Sequence, residues 1–395
     1  MELIVMGRKR IAALCAAAAV ILTSACSTSE EPSGAVGNSA SGVEVSMEST
    51  ASSSNDALRT VTDSLGREVE VPARVETVAT QGSAARNVIY AGGLDKIVAV
   101  TETDQGPDVG APYKYAGREI FEDLPVTGPG GPAQTTYEES LIEVDPDLMV
   151  TTWSDPAMLD QIQDRTGVPV IAVSDPAPDY SAFSEVNAEM ILLLGELLGT
   201  EEQSQALVDK IQEWEKDLTG RVADLSEDEV KTAYTGAVSF RGAHGFAGTR
   251  AHYMPFDTVK VINVVDETGQ DGPFQADLEK VPEWDPDFIF LNPANMDLVN
   301  EDYANNPEFF DSLTAVKEGR VYSQPSFIWH ALNHEMAVAN TYYVGKVVYP
   351  ERFADVEMKQ IVDEVFRAYL GMEYADLLKQ EGLWFQELTL GEDVQ

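Results

Sequence analysis

A thirteen-residue stretch, EESLIEVDPDLMV (138–150), returns without a gap at an offset of 140 residues as LEKVPEWDPDFIF (278–290). Glu139 falls on Glu279, Glu143 on Glu283, and Asp145-Pro146-Asp147 on Asp285-Pro286-Asp287. Each copy reads as a short acidic helix, a proline-marked break and a buried strand. Two lobes of similar design are expected from such a repeat, with a chance match as the alternative.

The segment between the copies says how they are joined. In TEEQSQALVDKIQEWEKDLTGRVADL (200–225), Leu207, Ile211, Trp214, Leu218, Val222 and Leu225 recur at steps of three and four. They form one apolar stripe on a long helix, and Thr200 with Gln203 has capping-box spacing. At 1.5 Å per residue the helix would be roughly 35–40 Å long, a stiff strut.

On either side, short β-rich runs alternate with helical pattern. ETVAT, DKIVAVT, DLMVTT and VPVIAVS come before the strut, and KTAYTGAVS, KVINVVD, DFIFLNP and GRVYSQP after it. Strands separated by helices argue for parallel sheets. The expected fold class is α/β, two Rossmann-like lobes with mainly parallel sheets joined by one long α-helix. The expected division is an N-terminal lobe over 58–199, an interlobe helix over 200–226 and a C-terminal lobe over 227–395.

The N-terminus reads as an export address. Arg8, Lys9 and Arg10 precede an apolar run from Ile11 to Leu22, too short to span a bilayer comfortably, and small residues lead into Cys26. This resembles a bacterial lipoprotein signal over 1–25, with Thr23 where an aliphatic residue is usual. An ordinary secretory signal with an incidental cysteine is the alternative. The other of the two cysteines, Cys15, lies within the removed segment, so Cys26 is left as a lone thiol and a lipidation site is expected there. Residues 26–57 are Ser-, Gly- and Ala-rich without an aromatic side chain and read as a tether. The expected location is the extracytoplasmic face of the cell membrane, held by lipid. A formal net charge of −41 disfavours nucleic acid as a partner.

Taken together, these features resemble the substrate-binding lipoproteins of ABC importers for iron complexes, the helix-linked class III periplasmic-binding-protein architecture that takes up ferric siderophores, haem and cobalamin. The stretches carrying the likeness include VTDSLGREVEVP (61–72), GSAARNVIYAGGLDKIVAVTETD (82–104), the two Glu…DPD repeats, SFRGAHGFAGTRAHY (239–253), AVKEGRVYSQP (315–325) and TYYVGKVVYPERF (341–353). The resemblance implies a monomeric, non-enzymatic receptor with no intrinsic cofactor. It would capture a small-molecule metal chelate between its lobes and deliver it to a permease dimer with its ATPase. In that class one glutamate per lobe docks on the permease; the matching positions are Glu139 and Glu279. Thr136 gives Glu139 the alternative of a capping box.

The four histidines all lie in 244–334. His330 and His334 would share one face if HALNH (330–334) were helical, a spacing that can bind zinc, but the Glu of HExxH is missing. The loops at the carboxyl edges of the sheets are where ligands bind. They offer aromatic planes (Trp153, Trp329, Tyr253), cations (Arg86, Arg241) and imidazoles (His244, His330, His334). Arg241 and Arg250 could equally be solvated, His244 could close its own turn, and His252 reads as structural. A ferric chelate is the leading expectation. Haem or a corrinoid with a histidine axial ligand is the alternative, and a bare metal ion held by His244, His330 or His334 is the third.

Overall fold

The computed structural model describes residues 57–174 and 180–392. The signal segment, Cys26 and the tether to Asp56 lie outside the described residues. Among the described residues no helix is long and apolar enough to cross a membrane.

The chain opens with an antiparallel hairpin, β1 (Leu58–Thr62) and β2 (Glu68–Pro72). The first lobe then contributes β3 (Val78–Gln81), β4 (Ile97–Ala99), β5 (Leu148–Thr151) and β6 (Val170–Ala172), all parallel in the order β4-β3-β5-β6. The second lobe supplies β7 (Thr232–Gly236), β8 (Gly248–Arg250), β9 (Ile262–Asn263), β10 (Pro273–Gln275), β11 (Phe288–Leu291) and β12 (Val321–Ser323). Four of these form a parallel sheet ordered β9-β7-β11-β12, while β8 and β10 pair as a small antiparallel ribbon. Numbered within its own lobe, each main sheet runs 2-1-3-4. The repeated sequence therefore marks a repeated topology, and β5 and β11 hold the same place in each.

The DPD motif has a structural reason. Its first aspartate, Asp145 or Asp285, ends the short helix in the left-handed region at φ 48° or 38°, which Asp tolerates better than bulky residues. Its second clips two strands together. Asp147 Oδ2 accepts the backbone N–H of Glu76 and Thr77 at 2.8 and 3.0 Å, while the Asp147 N–H donates to Thr77 Oγ1 at 3.0 Å. Asp287 Oδ2 likewise accepts from the N–H and hydroxyl of Thr232, and the Asp287 N–H donates to Thr232 Oγ1. In both lobes the third strand is thereby locked to the first.

The strut is the helix Glu201–Arg221, about 31 Å long at 1.5 Å per residue. Its stripe is buried as expected, apart from half-buried Leu225. It ends a turn earlier than the sequence pattern suggests. The capping box does not form: the Thr200 hydroxyl donates to the Ala91 carbonyl at 2.6 Å instead.

One part of the expected division needs correction. Residues 334–380 do not belong to the second lobe alone. The helix His334–Val348 is buried on nearly every face, and Met358–Leu370 packs on first-lobe helices Ala84–Tyr90 and Pro112–Phe121. The Tyr374 hydroxyl donates to the Val109 carbonyl at 3.1 Å. As a result the largest apolar cluster runs unbroken from Val69 to Phe385 and includes side chains of both sheets.

Candidate functional site

In a 2-1-3-4 sheet the strand order reverses between the first and third strands, and the crevice beyond their carboxyl ends is open to a ligand. In the first lobe this point lies between β3 and β5. Gly82 follows β3 at φ 68°, and a Cβ there would collide with the Thr152 hydroxyl after β5. Glycine lets the two turns close against each other as a floor. Ser83 N–H and hydroxyl both lie within hydrogen-bond reach of Thr152 Oγ1, at 3.1 and 3.2 Å.

Above that floor is a cavity of about 390 Å³, walled by Thr103, Tyr113, the 131–134 loop, Trp153 and, from the second lobe, His330 with Ala331. Trp153 is buried and its indole N–H has no hydrogen-bond partner among the described residues. An orphaned buried donor is rare and costly; here it lines the cavity. Tyr113 is fixed by its hydroxyl, which donates to buried Asp104 at 2.8 Å, and by the Arg86 guanidinium 4.6 Å from its ring centre. Burial raises the Asp104 carboxyl above its ordinary range, against the pull of the Thr101 and Tyr113 hydrogen bonds.

The second lobe reaches into the first through a finger, Ile328–Leu332. Ile328 and Leu332 form a one-bridge antiparallel contact, and the Trp329 N–H donates to the Ala331 carbonyl at 2.9 Å. His330 and Ala331 at the tip both have positive φ, 51° and 82°. Arg86 Nη2 donates to the carbonyls of Trp329 and His330, at 3.3 and 2.7 Å. Asp108 Oδ2 accepts the Trp329 indole N–H at 2.8 Å and lies 3.7 Å from His330 Nε2. The nearby His330 imidazole foremost, then the hydrogen bonds from the Trp329 indole and the Gly110 N–H, pull the Asp108 carboxyl down to about 2 against its partial burial. Beyond the finger lies a second chamber of about 580 Å³, lined by Pro107–Gly110, Ser239, Asn292, Trp329, Met336 and Leu383 among others.

The corresponding reversal point of the second lobe, between β7 and β11, holds Arg250. Its side chain is almost fully buried among Thr235, Asn292, Gln324 and Ile328, with Tyr180 of the first lobe 4.4 Å away over the guanidinium. No carboxylate pairs with it among the described residues. Desolvation lowers its pKa, opposed by Tyr180, Tyr253 and Asp271.

The histidines divide. HALNH is not a helix: the helix starts at His334, so His330 and His334 do not share a face. His330 reaches the first cavity. His334 is buried, edge-on to Tyr90 at 5.3 Å and lining neither chamber. His244 lies against Phe240 with Nε2 2.8 Å from that residue's carbonyl, and Nδ1 2.6 Å from Gln275 Nε2. Both ring nitrogens are engaged in closing a turn. Arg241, on the same turn, is exposed, and Tyr253 is buried with its hydroxyl on Gln324 at 2.8 Å. Among the described residues no group of three His, Cys, Asp or Glu could hold a metal ion. Of the candidates, then, Arg86, Trp153, Trp329 and His330 converge on the cleft. Asp108 and Arg250 are what sequence reasoning missed. Asp108 sits in a Pro/Gly-rich loop 221 positions from its partner Trp329, and nothing in its neighbourhood signals that contact.

Comparison with known proteins fits this geometry. A periplasmic binding protein family model matches residues 78–326. The chain belongs to the periplasmic binding protein family. This binding protein is 24% identical over 333 residues to the molybdate-binding protein MolA of Haemophilus influenzae, covering 80% of this chain and 92% of that one. The structure of MolA with molybdate superimposes with a TM-score of 0.62 at 22% identity over 80% of this chain and 99% of that one. The TroA-like protein FepB of Veillonella parvula gives 0.61 at 19% over 83% and 99%. CeuE of Helicobacter pylori, with nickel and histidine, gives 0.56 at 18% over 83% and 100%. The fold is thus the helix-linked class III architecture, and the protein is a solute-binding protein of the periplasmic binding protein family.

Glu139 and Glu279 are both exposed and in no ion pair among the described residues. Tyr137, not Thr136, precedes the helix Glu138–Val144 and no side chain caps it, so Glu139 takes no part in a capping box.

Proposed function

We propose that this binding protein captures an anionic metal chelate, of the ferric siderophore kind, between its lobes and hands it to an ABC permease. One observation carries the reading: the almost fully buried Arg250 side chain at a ligand-binding reversal point, with no carboxylate paired to it among the described residues. Burying an unpaired cation is unfavourable unless something anionic joins it. The Arg fork suits carboxylate or catecholate oxygens two at a time. The aromatic faces of Trp153 and Trp329 and two chambers in one cleft suit a bulky complex better than a bare ion.

A second reading is favoured by the relative that binds molybdate. The first cavity alone, with the Trp153 N–H and the Ser83, Thr103 and Thr152 hydroxyls, could hold a small tetrahedral oxyanion. Haem or a corrinoid would have to use His330, the one imidazole lining either chamber. The lipid on Cys26, docking by Glu139 and Glu279 and a monomeric state complete the proposal.

Titration calorimetry of the protein with a ferric catecholate, a ferric hydroxamate, haemin, cobalamin, molybdate and free iron, nickel and zinc ions tests it. Saturable binding of one ferric chelate class is expected. Binding of molybdate alone transfers the assignment to the oxyanion reading, and binding of free ions alone refutes both.

A further inference from the structure

The finger Ile328–Leu332 touches every part of the cleft. Its tip residues His330 and Ala331 close the first cavity, Trp329 walls the second chamber, and Ile328 lies beside Arg250. The finger's residues lie between the cavity lined by Trp153 and the pocket lined by Arg250, so an anionic ligand spanning both would have to displace it. We propose that the finger is an internal stand-in for the ligand, displaced on binding, and that its latch on the first lobe selects for bulky anions. The proposal deepens the anionic-chelate reading and rests on it.

Three observations support displacement. The finger occupies Arg86 Nη2 with two neutral acceptors, the carbonyls of Trp329 and His330. Hydrogen bonds from a guanidinium to an anionic oxygen are about twice as strong as those to neutral ones, so a carboxylate or catecholate competes well for that donor. The tip holds two consecutive non-glycine residues at positive φ, a conformation that relaxes once the surrounding contacts let go. Besides Arg86, part-buried Asp108 holds the finger to the first lobe through the Trp329 indole, while the finger's base is tied by Asn333 Nδ2 to the Gly110 carbonyl at 3.2 Å and by the His334 N–H to the Tyr90 hydroxyl at 3.3 Å. An anion entering the cleft repels that carboxylate, which loosens the latch as the ligand arrives. A small oxyanion fitting the first cavity alone would leave the finger in place.

The test uses the full chain labelled with 5-fluorotryptophan, which gives one ¹⁹F resonance for each of its five tryptophans; Trp329→Phe assigns the one that matters. Without ligand, Asp108→Asn, which replaces a charged acceptor by a weaker neutral one, should shift the resonance of Trp329, already 42% exposed, and leave the other four in place. An unmoved resonance overturns the latch. Affinity for ferric tris-catecholate and for molybdate is then compared between the wild type and Asp108→Asn. If latching leaves about a tenth of molecules open, release raises apparent catecholate affinity about tenfold, with less than a twofold change for molybdate. Equal gains for both anions, or no gain for the catecholate, overturn the selection. If neither anion binds either protein, the anionic-ligand reading fails, and the unliganded resonance still decides the latch. Trp329→Phe, which keeps a ring but removes the N–H, stands in for Asp108→Asn in the affinity arm should that variant not fold.

Discussion

Replacing Arg250 by methionine should make the protein more stable and less able to bind. The guanidinium is almost fully buried, has no carboxylate partner among the described residues and gains mainly from the Tyr180 ring 4.4 Å away. Removing a buried cation from water costs several kcal/mol even after relaxation, and a desolvated cation–π contact returns about 2 kcal/mol of that. Methionine keeps most of the apolar stem and removes the charge. A net stabilisation of about 1–3 kcal/mol is expected, which for a body of roughly 330 residues raises Tm by about 2–4 °C. Differential scanning calorimetry of both proteins without ligand gives the shift, and calorimetric titration with a ferric catecholate gives the affinity. That affinity should fall at least tenfold, the loss of one charged hydrogen-bonding partner of about 1.5–3 kcal/mol. A Tm that falls, or an affinity that stays, refutes the argument that this cation is held in reserve for a ligand.

His244→Ala should cost about 1–2 kcal/mol in urea denaturation, the price of two hydrogen bonds and a ring contact in a turn, without changing ligand affinity more than twofold. Acid should loosen the finger. The Asp108 carboxyl is held at about 2, below its ordinary 3.8. Its stabilisation is therefore complete above about pH 4 and fades as pH falls toward 2, by about 1–2 kcal/mol given its partial exposure; Asp108→Asn should flatten that part of the stability curve. The double substitution Glu139→Ala with Glu279→Ala should abolish uptake in cells while leaving calorimetric ligand affinity intact.

The fold was legible because its signals are local. Seven of the eight parallel strands fall inside the β-rich runs and the eighth, β3, overruns its run by Gln81 alone, and the DPD repeat marks the third strand of each sheet. The strut was legible because one stripe of six apolar residues has a helical period. Where the reading failed, a distant partner decided. HALNH has helical spacing, yet the pairing of Ile328 with Leu332 and the grip of Arg86 and Asp108 bend it into a finger. Thr200 had a capping-box partner three residues on, but a carbonyl 109 positions away took its hydroxyl. The reading of Arg250 stayed open between a solvated and a functional cation because nothing adjacent in sequence reveals that Tyr180 covers it.

The unbroken apolar cluster from Val69 to Phe385 has a consequence for how such a protein can be taken apart. Its two halves look like copies of one unit, yet neither is a module. A recombinant first lobe ending at 199 would expose the faces that Met358–Leu370 covers, and a chimera exchanging ligand preference between relatives would have to carry that helix along with the lobe it covers. Duplicated topology here has been fused into one inseparable folding unit, so natural variation in what is bound should concentrate in the finger and cleft loops rather than arise by trading whole lobes.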